Sequence, residues 1–198
     1  MKNILKISMK TLIGFILCFA IGCGNSADED NDIGGGNDGS EIPIEDLHVG
    51  QACQGGIIAY IDETGKHGLI AAPKDQSAGI PWGGNFVTGA RGTAIGTGKS
   101  NTEKIIQMQG TWSCAAKLCD DLVLNGYDDW FLPSKDELNV LCRNRATIGG
   151  FSYGSIYWSS SEYNVNVAYS QDFGNGVQYY NNKGSKTIKW RVRAVRAF

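Results

Sequence analysis

The sequence predicts an α+β domain, built in the order hairpin, helices, antiparallel strands. Three observations carry this. Short apolar runs between turn residues open the folded part, apolar residues at helical spacing follow, and the last 48 residues hold 11 of the 20 aromatics in strand-like runs. Such an order packs helices beside a sheet. The chain of 198 residues, 42% hydrophobic and 19% charged, is globular in composition. A formal charge of −2 argues against a strongly basic nucleic-acid binder, and only His48 and His67 are present for a histidine metal site. No cofactor, metal site or catalytic constellation is expected.

The elements follow in chain order. Residues 1–22 read as a signal peptide: Lys2, Lys6 and Lys10 form a basic start, and the uncharged run Thr11–Ile21 is too short for a comfortable membrane span. It ends in Ala20-Ile21-Gly22-Cys23, which resembles a bacterial lipobox, so Cys23 is the expected lipidation site and the outer membrane the expected location. Residues 23–46 read as an acidic flexible tether, since residues 24–46 hold eight acidic side chains and no basic one. That run serves solubility, or it resembles the acidic export signal of surface lipoproteins in Bacteroidetes-type bacteria. The folded domain spans 47–198, and from Leu47 onward 15 basic residues outnumber 12 acidic ones.

Gly55–Asp62 and Gly68–Pro73 predict a hairpin around Glu63–His67. The glycine-rich stretch from Gly79 to Gly98 reads as loop. Ser100-Asn101-Thr102-Glu103 has capping-box spacing and predicts a first helix with Ile105, Ile106 and Met108 on its apolar face. A second helix fits Cys114–Leu124, with Asn125-Gly126 as its stop. A third starts after Pro133, where Ser134-Lys135-Asp136-Glu137 is another capping box. Strands are expected at Tyr157–Ser160, Ala168–Phe173, Gly176–Tyr180 and Trp190–Phe198, with Gly174-Asn175-Gly176 as a hairpin turn.

Motifs that suggest chemistry are weak. Gly96-Thr97-Gly98-Lys99-Ser100 has the tail of a phosphate-binding loop, but Thr93 stands where the first glycine belongs. Asp120-Asp121 and Asp128-Asp129 lack EF-hand spacing, and Glu162 has no nearby partner carboxylate, which favours structural roles. Alternation puts Arg191 and Arg193 on one face of the last strand, and salt bridges from Arg191, Arg193 and Arg196 to the acidic helix region are expected. Cys53, Cys114, Cys119 and Cys142 do not have zinc spacing; disulfides and buried thiols both remain open. The clearest signal is distributional: Tyr163–Trp190 interleaves Tyr and Trp with Asn, Ser and Gln, the composition of antibody-like binding surfaces.

Gly92–Thr102, Gly126–Leu138, Tyr157–Glu162, Phe173–Gly176 and Val192–Arg196 together resemble the family of the C-terminal domain of Legionella collagen-like adhesin. The resemblance covers roughly residues 50–198. It implies a C-type-lectin-like fold, with two to three helices on an antiparallel sheet, and kinship with target lipoproteins of diversity-generating retroelements. It makes 158–198 the candidate variable region, with Tyr157–Ser160, Glu162, Ala168, Phe173, Gly174, Gly176 and Val192–Phe198 as scaffold. Tyr163, Asn164, Asn166, Tyr169, Gln178, Tyr179, Tyr180, Asn181 and Trp190 are then the expected ligand-binding residues, and the ligand a macromolecule or cell surface. The expected function is a surface-anchored, non-enzymatic, adhesin-like binding lipoprotein. The alternatives are an exported enzyme on a formylglycine-generating-enzyme-like fold and a component of an adhesive assembly.

Overall fold

A computed structural model describes residues 47–185 and 188–198. The expected signal peptide, Cys23 and the tether 23–46 lie outside the described residues. The elements are β1 (Ala52–Cys53), β2 (Gly56–Ile61), β3 (Gly68–Ala71), β4 (Ser77–Ile80), α1 (Gly98–Gln109), α2 (Ala115–Asp120), α3 (Lys135–Arg143), α4 (Arg145–Ile148), β5 (Ile156–Glu162), β6 (Val167–Asp172), β7 (Gln178–Asn182), β8 (Trp190–Val192) and β9 (Val195–Ala197). The α+β class is as expected, with four helices and two sheets among the described residues in place of two to three helices on one sheet. The sheets run β1-β2-β3-β9 and β4-β8-β5-β6-β7. All pairs are antiparallel except β5 with β8.

The expected final strand Trp190–Phe198 is two strands, one in each sheet. Arg193 causes the break. Its guanidinium, 0% exposed, reaches Asp75 at 2.8 Å, Ala72 O at 2.9 Å and Gly149 O at 3.4 Å, donates also to Gly150 O, and lies 4.0 Å from the Phe151 ring centroid. The buried Val192 and Ala194 flank it. The chain therefore turns at the arginine, and β9 leaves for β3, where Leu69 faces Ala197 and Ala71 faces Val195. Arg191 also meets Asp75 and Arg196 meets Asp129. Asp129 belongs to the expected acidic helix region, whereas Asp75, which meets Arg191 and Arg193, follows β3.

Two apolar clusters fill the interior. Trp82, Trp130 and Trp158 pack with Ile105, Ala115, Ala116, Cys119 and Leu132 beneath α1 and α2. Tyr157, Phe173, Leu138, Leu141, Cys142 and Phe131 pack beneath α3. Burial of each large apolar side chain contributes about 1.5–3 kcal/mol. Each tryptophan also satisfies its indole N–H, Trp82 on Ser159 O at 2.7 Å, Trp158 on Ile80 O at 2.9 Å and Trp130 on Tyr127 O at 3.1 Å. Cys114, Cys119 and Cys142 are buried free thiols, and burial pushes each of them up.

One capping box forms and the other does not. Ser134 accepts from the Glu137 amide at 3.3 Å, and Glu137 accepts from the Ser134 amide at 2.7 Å. The same Glu137 carboxylate takes the amides of Gly96 at 2.8 Å and Gly98 at 3.5 Å. With an internal anion at its head, α1 starts at Gly98, and Ser100 is left exposed inside the helix. A Cβ at Gly98 would collide with that carboxylate. The amides of the phosphate-loop-like stretch are thus used within the fold. Glu137 is fully buried, and that burial raises its carboxyl against the pull of these donors. The second helix is shorter than expected. Asn125 and Gly126, at φ 52° and 85°, make a tight turn joining Leu124 to Tyr127 instead of stopping the helix.

Candidate binding surface

The expected residues 163–181 fall on the hairpins at the β7 end of the five-stranded sheet. Between β5 and β6 the turn is tied by Asn164, whose Oδ1 accepts from the amides of Asn166 at 2.8 Å and Val167 at 3.1 Å, and by Tyr163 N–H on Val167 O at 3.0 Å. This turn puts the Tyr163 ring over β7. Tyr163 and Tyr180 stack at 5.0 Å and 12°, and Tyr169 meets both edge-on at 5.7 and 6.3 Å. Tyr169 and Tyr180 are direct cross-strand partners, so their side chains share a face. Tyr163 and Tyr180 remain 51% and 62% exposed. Gln178 lies on the same face and donates to Lys135 O of α3 at 2.9 Å, while the Lys135 ammonium stands 5.7 Å from the Tyr169 ring centroid.

The remaining residues divide. Tyr179 pairs with Ser170 and Asn181 with Ala168, which places both on the opposite face. Tyr179 is 40% exposed, and Asn181 donates to the Ser170 hydroxyl at 2.7 Å. Asn164 and Asn166 are exposed beside Tyr163. Trp190 stands apart: β8, β5, β6 and β7 are consecutive, so it sits three strands, about 14 Å, from β7. Half-buried, it packs at 6.3 Å against Trp158. The structure therefore brings Tyr163, Asn164, Asn166, Tyr169, Gln178 and Tyr180 together, sets Tyr179 and Asn181 behind them, and separates Trp190.

A buried ion pair supports this surface. Lys183, directly after β7, has no exposure; its ammonium meets Glu162 Oε2 at 2.7 Å and Phe86 O at 2.8 Å, 4.8 Å from the Trp82 ring centroid. Glu162 Oε2 also accepts from the Thr88 amide at 2.8 Å and hydroxyl at 2.5 Å. Burial raises the Glu162 carboxyl, but Lys183 and Thr88 outweigh it and hold it below its usual range. Burial lowers the Lys183 ammonium, and Glu162 only partly restores it. The pair fastens residues 86–88 to both hairpins, so Phe86 and Val87, 47% and 54% exposed, join the same region. Sequence reasoning missed Lys183, Phe86 and Val87. Lys183 ends a polar run and looks like solvated surface; the lone Glu162 after Trp158-Ser159-Ser160-Ser161 was the only hint of a buried partner.

Elsewhere, a cleft of about 420 Å³ against the four-stranded sheet is lined by Tyr60, His67, Lys99, Phe131 and Phe198 among others, and holds none of the expected residues. Among the described residues, no group of three or more His, Cys, Asp or Glu is placed to hold a metal, and no helix is long and apolar enough to cross a membrane.

Two sheets joined through Arg193, four helices packed on them and a tyrosine-rich strand end define a small α+β domain among the described residues. The Lcl C-terminal domain family matches residues 72–196, and the chain belongs to it. Among solved structures, a fimbrial protein from Bacteroides ovatus is similar, with 13% identity and a TM-score of 0.49 over 77% of this chain and 45% of that one. This chain thus spans less than half the length of that protein. No curated protein matches.

Proposed function

We propose that the chain is a surface-anchored, non-enzymatic binding lipoprotein. Cys23 carries the lipid, residues 24–46 hold the domain away from the outer membrane, and the tyrosine end of the sheet meets a macromolecular or cell-surface ligand. Membership of the adhesin-derived family supports this reading. The observation that carries it is the cluster of exposed Tyr163 and Tyr180 against the half-buried Tyr169, backed by a buried ion pair. Rigid tyrosines give large contact area at low entropic cost, and asparagines beside them supply adaptable hydrogen bonds. The domain is a C-type-lectin-like variant, a reading favoured by the pairing of β9 with β3 and by the burial of Tyr157, Trp158, Ser159, Ser160, Glu162, Ala168 and Phe173, the scaffold positions of the candidate variable region. A retroelement diversifies the residues between them.

The test uses the whole chain against immobilised matrix proteins, mucins and glycans. Once a ligand is found, Tyr163→Ala with Tyr180→Ala is expected to weaken binding about thirtyfold or more, the effect of losing a hot spot. Both rings are exposed, so the melting temperature should stay nearly unchanged. A ligand held at full strength by the double variant would overturn the site.

A further inference from the structure

Among the described residues, nothing guards the β7 edge. Among the described residues, β7 is the last strand of its sheet, with no strand beyond it. Its pairing with β6 runs through five consecutive positions without a register shift. Lys183 N–H donates to Asn166 O at 2.9 Å and Asp172 N–H to Val177 O at 3.0 Å. In that register Tyr179 and Asn181 turn their backbone groups toward β6, and Gln178, Tyr180 and Asn182 turn theirs outward. Three N–H and three C=O groups therefore stand in a row, with no hydrogen bond to another described residue.

The other edges are blunted. β1 has two residues, β9 is bridged on its far side by Phe131, and the β4 pairing shifts register between Ser77 and Ile80. Proteins commonly protect a free edge with lysine, proline or a bulge. Gln178-Tyr179-Tyr180-Asn181-Asn182 has none of these. The adjacent lysine, Lys183, is turned inward to Glu162 and cannot act as a guard.

We propose that this edge receives an extended segment of a partner polypeptide as a sixth strand. The inference rests on the binding-surface reading above and narrows the ligand to a protein with an uncharged, extended stretch. Backbone pairing along Gln178, Tyr180 and Asn182 gives affinity. Alternate side chains of the incoming strand meet Tyr180 on one face and Tyr179 on the other, so apolar or aromatic residues at those positions give specificity.

The probe is a displayed library of random linear peptides, selected on the whole chain, with backbone amide exchange followed by NMR. A selected peptide should slow exchange at Gln178, Tyr180 and Asn182 about tenfold or more, and leave the already paired Tyr179 and Asn181 little changed. N-methylation at every second peptide position should weaken binding roughly fivefold to tenfold, with little effect in between. If a ligand needs the Tyr163 and Tyr180 rings while the outward amides keep their free rates, edge pairing is wrong and the surface assignment stands. If the free chain protects those amides more as its concentration rises, a second copy holds the edge and the proposal fails. A library that yields no peptide also sinks it, and leaves the matrix and glycan search unaffected.

Discussion

At the scale of single residues, the fold depends on charges placed where the sequence shows only polar letters. Lys183 and Glu162 are both fully buried, and each justifies the other. Removing one partner strands a charge in the interior, a loss of about 3–5 kcal/mol. Glu162→Gln or Lys183→Met should each fall in that range by urea denaturation, and the double variant should recover much of it. The pH dependence follows from the lowered Glu162 carboxyl. Its contribution is complete above the ordinary value of 4.5 and is lost as pH falls through the lower folded value. In Glu162→Gln, stability should therefore decline less steeply across that acid range; an unchanged slope would remove Glu162 as its source. From sequence, Glu162 was legible as structural, but its partner 21 positions later was not.

At the scale of elements, two capping boxes with identical spacing had different fates. Ser134 and Glu137 satisfy each other's amides, and the Ser134 hydroxyl also donates to Ala94 O at 2.9 Å. Ser100 sits exposed inside α1 because Glu137 caps the turn ahead of it. Ser134→Ala is expected to lose about 1–2 kcal/mol. Ser100→Ala should stay within about 0.5 kcal/mol. Thermal unfolding of the two variants checks this, and equal losses would contradict it. The β6–β7 hairpin was readable because its turn carries local chemistry, with Gly176 at φ 79° closing β6 on β7, whereas Asn125-Gly126, expected as a helix stop, closes Leu124 on Tyr127. The expected second helix ran too far because apolar spacing continues through Leu122 and Leu124, whereas the helix ends at Asp120 and Leu124 bridges Tyr127 across the Asn125-Gly126 turn.

At the scale of the whole molecule, Arg193 joins the sheets. It fastens the β8–β9 corner to Asp75, Ala72 and the Gly149-Gly150 turn, and stacks on Phe151. Lysine keeps the charge but not the planar fork, so Arg193→Lys should lose about 2–4 kcal/mol. Unfolding should remain one transition when followed by far-ultraviolet circular dichroism and tryptophan fluorescence; two transitions would make the sheets separate units. The sequence by itself determined the α+β class, the β2–β3 hairpin, the α3 cap and the tyrosine-rich character of the strand end, because periodicity, capping and turn chemistry act over a few residues. Only the tertiary structure decided that Trp190–Phe198 serves two sheets, that Tyr179 and Tyr180 face opposite ways on a free edge, and that Lys183 is buried. Those outcomes depend on side chains far apart in the chain, such as Asp75 with Arg193 and Thr88 with Glu162. Nothing local in the sequence encodes which distant partner a charge will find.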